Sequence, residues 1–374
     1  MRRRRFIAGL AALAVTGACS DGGDAEPKRT QSSGSGSGDA SGPGGKTTSP
    51  SDTRVHPSVD SVIASGLNVP WSVVFLPGGD ALVSERDAAH ILRMSADGRT
   101  IDLGELPDVA PSSDFGEGGL LGLAIAPDDS NTIFAYHTTD DDNRIVRLRI
   151  DGDRLGKPEP VLTGIPASTH HNGGRLALGP DGLLYASTGD AEQSDRAQDT
   201  DDLGGKILRI RPDGRPASGN PFGNEVWTYG HRNVEGLAFD GKGRLWASEF
   251  GDADVDELNL IERGNNYGWP EVEGMGDGEF TNPLNTWPTA ECSPAGIAVT
   301  RSTAFLGALR GERLIAVPLR GTRTGKPSAS FVGEYGRIRE VSVAPDGALW
   351  VTTSNTDGRA TAGPKDDRIL RVKV

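Results

Sequence analysis

One pattern recurs along most of the chain: an apolar alternating strand, a tight turn built on Pro, Asp or Gly, and a second apolar strand. The turns are centred at positions 77, 127, 180, 241, 301 and 345. Their spacings are 50, 53, 61, 60 and 44 residues, and most copies continue into a third strand, for example at 144–148, 206–210 and 368–372. Several strands per repeat of this length are typical of a propeller blade, whereas β-sandwiches rarely repeat so regularly and β-helix repeats are much shorter. The sequence therefore predicts an all-β fold, a six-bladed β-propeller.

The predicted propeller has the means to close on itself. A spare apolar strand, Val59–Ala64, precedes the first copy, and the chain stops inside the sixth. An unpaired sheet edge is a liability that proteins usually cover. We therefore expect the N-terminal strand to complete the last blade.

The first 19 residues read as an export signal. Residues 2–5 are all Arg, and residues 6–15 form an apolar stretch too short to span a bilayer. Residues 16–19, Thr-Gly-Ala-Cys, resemble a lipobox, whose cysteine becomes the lipidated N-terminus; an ordinary signal peptide with an incidental cysteine is the alternative. Arg3 to Phe6 also resemble a twin-arginine motif, so the export route stays open.

A linker follows the predicted signal. Residues 20–54 contain no Val, Leu, Ile or aromatic residue, and such a composition cannot bury enough surface to order itself. The predicted domains are a lipoprotein signal peptide (1–19), a disordered Gly/Ser-rich linker (20–54) and the propeller (55–374). We expect an exported protein at the outer face of the cell membrane, attached only through its N-terminal lipid.

Charge argues against one class of binding partner, and cysteine content limits the possible disulfides. The formal net charge is −13, and an acidic surface argues against nucleic-acid binding. There are two cysteines; if Cys19 is lipidated, Cys292 has no partner and no intrachain disulfide can form.

A Gly-rich loop holds a possible proton acceptor. His171 lies in the run His170 to Leu176, and the strand that follows ends at Asp190, nineteen residues after His171. A histidine that abstracts protons needs a second group to fix its tautomer and orientation. The spacing makes Asp190 a candidate for that group, although a lone loop histidine is more often structural.

Three further clusters carry charge. Arg232 and Asn233 offer a planar fork and an amide. Strand alternation places Arg337 and Arg339 on one face, where two cations favour an anion. The acidic run 249–257 suggests calcium, although it lacks the EF-hand pattern. The alternative for Arg232 and Asn233 is that they only satisfy loop carbonyls, and the alternative for the two arginines and for the acidic run is solvated surface charge.

Taken in order, these clusters resemble the soluble quinoprotein sugar dehydrogenases of the glucose/sorbosone dehydrogenase family, which use pyrroloquinoline quinone (PQQ) and calcium. The similarity is greatest to the bacterial aldose dehydrogenase branch and covers nearly the whole of the predicted propeller. The motifs that carry it are Glu117–Gly122, His171–Leu176, Gly230–Asn233, Asn265–Pro270, Trp287–Thr289 and Arg337–Arg339.

The resemblance implies a role for each residue. His171 falls on the general base for the anomeric hydroxyl, Asp190 on the acid that orients it, and Arg232 near the quinone carbonyl that receives hydride. The other residues implied to contact the cofactor are Glu117, Asn233, Trp287, Thr289, Arg310, Arg337 and Arg339. Gly251 and Asp252 fall on the pair whose carbonyls bind the cofactor's calcium, and Glu257 and Tyr267 on a second calcium site.

Four positions depart from the family pattern. Glu117 stands where the family usually has Gln, and adds a negative charge near an anionic quinone. His170 replaces an acidic residue, Asp252 a Pro and Arg310 a Lys. Cofactor affinity and substrate preference are the properties that Glu117 and His170 would change most.

The resemblance implies an enzyme that oxidises an aldose at the anomeric carbon to a lactone and passes electrons to a quinone, cytochrome or dye. The alternative is a non-enzymatic, calcium-stabilised propeller that binds a glycan or a protein at the cell surface. A lactonase is a third option, because six-bladed propellers also host hydrolases.

Overall fold

The strands form a succession of antiparallel sheets along the chain. The computed structural model describes residues 55–112 and 116–374, so the predicted signal peptide and linker lie outside the described residues. Within the described part, six sheets of four or five strands follow one another. They are the six blades that the repeat predicts, which confirms the all-β propeller.

Each blade begins at the channel and ends at the rim. The strands of the first three blades are β2 (Pro70–Phe75), β3 (Ala81–Glu85), β4 (His90–Met94) and β5 (Thr100–Glu105); β6 (Leu120–Ile125), β7 (Thr132–Thr138), β8 (Asn143–Asp151), β9 (Arg154–Leu155) and β10 (Glu159–Ile165); and β11 (Leu176–Leu178), β12 (Leu184–Ser187), β13 (Lys206–Ile210) and β14 (Val226–Tyr229). One turn of 3-10 helix, Ser194–Gln198, interrupts the third blade.

The remaining blades follow the same plan. Their strands are β15 (Asn233–Phe239), β16 (Leu245–Phe250), β17 (Val255–Ile261) and β18 (Asn285–Pro288); β19 (Pro294–Thr300), β20 (Thr303–Ala308), β21 (Arg313–Arg320), β22 (Arg323–Thr324) and β23 (Ser328–Ser330); and β24 (Ile338–Val343), β25 (Leu349–Thr353), β26 (Arg368–Lys373) and β1 (Ser58–Ser65). The third strands predicted at 144–148, 206–210 and 368–372 are β8, β13 and β26.

The ring closes through its N-terminal strand. β1 pairs antiparallel with β26, from Ser58 opposite Lys373 to Ser65 opposite Arg368. The sixth sheet thus has the order β1-β26-β25-β24 and contains both ends of the described chain. This confirms the closure predicted from the spare strand.

Apolar side chains pack between neighbouring blades. In the part of the chain that the structure describes, six buried clusters join consecutive blades, and the cluster between the second and third blades also includes Trp71 of the first. One of them, which includes Trp350 and Val73, joins the sixth blade to the first. Because apolar surface removed from water stabilises the folded chain in proportion to its area, each interface contributes to closure of the ring.

The innermost strands determine where polar residues meet. β2, β6, β11, β15, β19 and β24 each contact their neighbours around the ring. They run in the same direction, so the loops that precede them converge on one end of the channel, here called the mouth. Glu117, His171, Arg232, Thr289 and Arg337 all precede innermost strands. Among the described residues, no helix is long and apolar enough to cross a membrane.

Candidate active site at the channel mouth

His171 and Asp190 come together at the mouth. His171 Nδ1 lies 2.7 Å from Asp190 Oδ1, and the side chains are 16% and 2% exposed. An ionised carboxylate accepts from a ring N–H, so this contact assigns the proton to Nδ1 and leaves Nε2 able to accept one. The arrangement can therefore act as a general base.

The backbone of His171 is held in the left-handed region. Its φ is 59°, a conformation that costs a non-glycine residue about 1–2 kcal/mol. The His171 N–H donates to Glu117 Oε2 at 3.0 Å, and its carbonyl accepts from Ala191 N–H at 3.2 Å. A side chain at Gly189 would collide with that carbonyl. These contacts hold the ring at a fixed place on the mouth.

Both oxygens of Asp190 are committed. Oδ1 accepts from His171 and from the Glu192 N–H at 2.9 Å, and Oδ2 accepts from Trp269 Nε1 at 2.8 Å. The Trp269 ring also lies 5.4 Å from the Arg232 guanidinium. Trp269 therefore links the histidine pair to the next candidate residue.

A buried lysine supports the loop beneath Trp269. Lys206 Nζ donates to the carbonyls of Arg196, Ala197 and Gly204 at 2.6, 3.2 and 2.5 Å, and burial lowers its pKa to about 8. Gln198, in the loop so fixed, donates through Nε2 to the Trp269 carbonyl at 2.6 Å. The position of Trp269 is thus set from the third blade.

Arg232 and Asn233 enter the fourth blade together. Arg232 donates through Nη2 to Asp252 Oδ1 at 2.8 Å, and its backbone N–H donates to Glu249 Oε1 at 2.6 Å. Asn233 is fully buried; its Oδ1 accepts from Gly173 N–H at 3.0 Å. The amide of Asn233 therefore ties the fourth blade to the histidine loop.

His231, the third histidine in a Gly-flanked loop, is buried beside these residues. Its Nδ1 lies 2.9 Å from Glu249 Oε2, and its ring stacks on Tyr267 with the centroids 4.6 Å apart. None of its surface is exposed. His231 therefore supports the fourth blade and does not face the mouth.

The two arginines of the sixth blade already have carboxylate partners. Arg337 donates through Nε and Nη2 to Asp357 Oδ2 at 3.0 and 2.9 Å. Arg339 donates through Nη1 to Glu235 Oε2 at 2.8 Å. Burial raises the pKa of Glu235, which the Arg339 charge opposes. The sequence predicted two adjacent cations, and the fold compensates each of them.

Glu117 also forms an ion pair. Its Oε1 accepts from Arg359 Nη1 at 2.8 Å. Burial raises the pKa of this carboxyl, but the Arg359 charge and the hydrogen bonds of Arg359 and His171 outweigh it and leave the pKa below its usual value. Glu117 is therefore ionised at neutral pH, with its charge compensated.

Thr289, Arg310 and Trp287 lie on the remaining side. Thr289 Oγ1 donates to the Ala253 carbonyl at 3.3 Å. Arg310 is exposed in the turn between β20 and β21. Trp287 packs against the apolar cluster between the fourth and fifth blades. Among the described residues, no hydrogen bond or ion pair joins any of the three to another candidate cofactor residue, so their roles stay predictions.

The acidic loop after β16 is organised by one carboxylate. Glu273 Oε1 accepts from the N–H groups of Asp252, Asp254 and Val255 at 2.8–3.0 Å. Within the described residues, the carbonyls of Gly251 and Asp252 accept no hydrogen bond. Carbonyl oxygens are ligands that calcium accepts, so these two groups could hold that ion.

Glu257 lies behind this loop, near Tyr267. Glu249, Glu257 and Tyr267 are among the residues that line a cavity of about 10 Å³. Burial and the Glu249 charge raise the pKa of Glu257 to about 8. The Tyr267 hydroxyl is committed to the Leu260 carbonyl at 2.6 Å. Across the described part of the chain, no group of three or more His, Cys, Asp or Glu side chains is arranged to hold a metal, so any ion here needs backbone oxygens.

Sequence reasoning did not assign several residues of the mouth. Glu235 follows Asn233 by two positions on an innermost strand, and that alternation was a usable signal. Trp269 stood in a recognised motif without a role. Asp357 and Arg359 lie in a loop with no motif, so nothing local marks them.

The chain matches a protein-family model described as glucose/sorbosone dehydrogenase over residues 67–362. Quinoprotein glucose dehydrogenase B of Acinetobacter calcoaceticus is 34% identical over 340 residues, covering 77% of this chain and 70% of that protein. Aldose sugar dehydrogenase YliI of Escherichia coli is 29% identical, covering 79% of this chain and 90% of that protein.

Solved structures agree with the sequence matches. The PQQ-bound form of an aldose sugar dehydrogenase from Streptomyces coelicolor is 52% identical, with a TM-score of 0.82 over 85% of this chain and 98% of that one. A putative oxidoreductase (glucose dehydrogenase) from Thermus thermophilus is 43% identical, with a TM-score of 0.79 over 85% of this chain and all of that one.

Proposed function

Since the chain belongs to the glucose/sorbosone dehydrogenase family, and is therefore a sugar dehydrogenase, we propose that it oxidises aldoses at the anomeric carbon to lactones with PQQ as its cofactor. The observation that carries this proposal is the His171–Asp190 pair, with Nε2 of His171 able to accept a proton at the mouth. The solved relative with 52% identity was determined with PQQ bound.

The residues of the mouth fit such a cofactor. Arg232 Nε and Arg339 Nε are buried and have no hydrogen-bond partner within the described residues. A buried donor left unsatisfied costs about 1–3 kcal/mol, so these positions favour a bound acceptor. PQQ has three carboxylates and two quinone oxygens, all of them acceptors, and the guanidinium groups of Arg337 and Arg310 offer further N–H donors at the same end of the channel.

When bound, PQQ supplies the two-electron acceptor for the hydride that leaves the sugar. His171 Nε2 takes the proton of the anomeric hydroxyl, and a C=O bond forms as the C–H bond breaks. Asp190 holds Nδ1–H in place and stabilises the imidazolium that results. A positioned general base is worth about a hundred- to ten-thousandfold in rate.

Arg232 has the second role. Its guanidinium lies between the Trp269 ring and Asp252. A fixed cation at this point stabilises negative charge that develops on a nearby oxygen, without having to reorganise. Asn233 fixes the loop of the base through Gly173, so the two halves of the site keep one geometry.

Calcium is the second proposed cofactor. The carbonyls of Gly251 and Asp252 would hold the ion beside the quinone, where a divalent cation polarises an oxygen. Glu257 and the backbone of Tyr267 would hold a second, structural ion. We also propose an external electron acceptor, and export with a lipid anchor at Cys19.

The proposal is tested by reconstitution. The purified protein is titrated calorimetrically with PQQ in the presence of calcium, and dye reduction is followed with a panel of aldoses. PQQ binding together with sugar-dependent dye reduction is the expected result. A protein that binds no PQQ with calcium present would contradict the proposal and favour a non-enzymatic surface propeller.

A further inference from the structure

The loop that joins β25 to β26, residues 354–367, brings two charged side chains to the mouth. Asp357 accepts from Arg337, and Arg359 donates to Glu117 on the second blade. Glu117 precedes β6 and Arg359 follows β25, so this ion pair joins the sixth blade to the entry of the second. The motifs that define the rest of the site include neither loop residue.

We propose that Arg359 is an affinity-determining residue of the cofactor site: by cancelling the charge of Glu117, it lets the mouth accept an anionic cofactor. The inference rests on the proposed function, because the anion it concerns is PQQ. The carboxylate of Glu117 is then compatible with PQQ binding only when Arg359 is also present.

The balance of charge supports this role. Three ion pairs lie at the mouth beside the sixth blade, so three carboxylates are balanced by three guanidinium groups. The pairs are Arg337–Asp357, Arg339–Glu235 and Arg359–Glu117. Removing Arg359 leaves three negative charges against two positive ones. Without Arg359, the carboxylate charge of Glu117 would repel the three carboxylates of PQQ. One uncompensated charge within the binding site changes affinity for an anion by about tenfold.

Arg359 is also held in place from its own backbone. Its N–H donates to Asp357 Oδ1 at 3.0 Å, while the other oxygen of Asp357 binds Arg337. An ordinary surface ion pair is worth little, because two long side chains must be ordered in water. Here the Glu117 side chain is only 13% exposed, against 41% for Arg359, so the pair has one buried member.

Glu117 has a second task that explains why a carboxylate sits there. Its Oε2 accepts the N–H of His171, whose backbone is in the left-handed region. A charged acceptor forms a stronger hydrogen bond than a neutral one. The two oxygens of Glu117 thus separate two functions, charge compensation through Oε1 and support of the base through Oε2.

Calorimetric titration of PQQ, with calcium present, tests the proposal without reference to turnover. Arg359→Gln is expected to weaken PQQ binding about tenfold, and Arg359→Lys to restore most of it. Glu117→Gln is expected to bind PQQ no more weakly than the wild type, and the double variant Glu117→Gln/Arg359→Gln within about threefold of it. Arg149→Gln is the matched control: it removes the same charge from an exposed ion pair with Asp129 on the second blade.

The outcomes separate the two claims. If Arg359→Gln binds PQQ as Arg149→Gln does, the inference is wrong and the proposed cofactor stands. If the double variant binds as weakly as Arg359→Gln, Glu117 is not the charge that Arg359 cancels, and the inference is also wrong. If the wild type binds no PQQ, both claims fail.

Discussion

The two sides of the channel mouth are built differently. On the side of the third and fourth blades, His171, Asp190 and Trp269 form a series of hydrogen bonds in which each oxygen of the carboxylate has its own donor. On the side of the sixth blade, Arg337 and Arg339 are each paired with a carboxylate, and Nε of Arg339 is buried with no hydrogen-bond partner among the residues that the structure describes.

The difference indicates that the first side serves proton transfer and the second serves cofactor binding. Directional hydrogen bonds fix a proton acceptor in one orientation before substrate arrives, which is what a general base requires. Ion pairs keep buried charge compensated and leave donors for an anion. Changes on the first side should therefore reduce turnover, and changes on the second should weaken cofactor binding.

Among the residues that support the base, the largest effect is expected at Asp190. Asp190→Asn should lower kcat about a thousandfold, because an amide no longer fixes the proton on Nδ1 of His171. Steady-state dye reduction measures kcat, and calorimetry should show PQQ affinity within about threefold of the wild type. Asp181→Asn, at a turn of the same blade and bonded to Arg209, is the matched control. A variant with normal kcat would remove Asp190 from the base.

The next largest effect is expected for Arg337 and Arg339, and it should be on PQQ affinity. Arg337→Ala and Arg339→Ala should each weaken PQQ binding about a hundredfold, since each deletes a cation and leaves a carboxylate unpaired. At saturating PQQ, kcat should change less than the affinity does. Calorimetric titration measures the difference, with Arg149→Ala as the control. Unchanged affinity would show that these arginines serve the fold alone.

A smaller effect is expected at Trp269. Trp269→Phe keeps a ring beside Arg232 but removes the donor to Asp190 Oδ2. We expect kcat to fall about tenfold, the cost of one lost hydrogen bond to a charged group, with KM little changed. Trp227→Phe, away from the mouth, controls for loss of an indole. A rise in KM without a fall in kcat would place Trp269 in substrate binding.

The smallest effect on catalysis is expected at His137 in the second blade, which should affect acid stability and not turnover. His137 is 2% exposed, and neither ring nitrogen has a partner in the described part of the chain. Burial, aided by Arg144 and opposed by Asp142 and Asp108, lowers its pKa from 6.5 to about 4. The unfolded chain therefore binds more protons between these values, and the folded state loses about 3 kcal/mol as the pH falls from 7 to 4.

His137→Gln tests this stability term. The variant should lose about 3 kcal/mol less than the wild type over the same pH range, as measured by urea unfolding at several pH values. Sugar oxidation at pH 7 should be unaffected. Identical pH dependence in the two proteins would show that His137 does not limit acid stability.

The sequence was sufficient for the fold but not for the links across the mouth. The repeat predicted the six blades, and the spare strand predicted the pairing of β1 with β26, because both depend on local alternation and chain order. The contacts of the site join distant positions: Trp269 to Asp190 across 79 residues, Glu235 to Arg339 across 104 and Arg359 to Glu117 across 242. No periodicity encodes such pairs, since they depend on which loops the closed ring brings together.

In the proposed site His171 is the base, and other residues hold the cofactor. His171→Gln keeps a side chain that can donate to Asp190 but cannot accept a proton, so its kcat and its PQQ affinity should be measured together. We predict that kcat falls by about a thousandfold or more, while PQQ binds within about threefold of the wild type. Turnover above about a tenth of the wild-type value, with PQQ bound, would contradict the account and require another base.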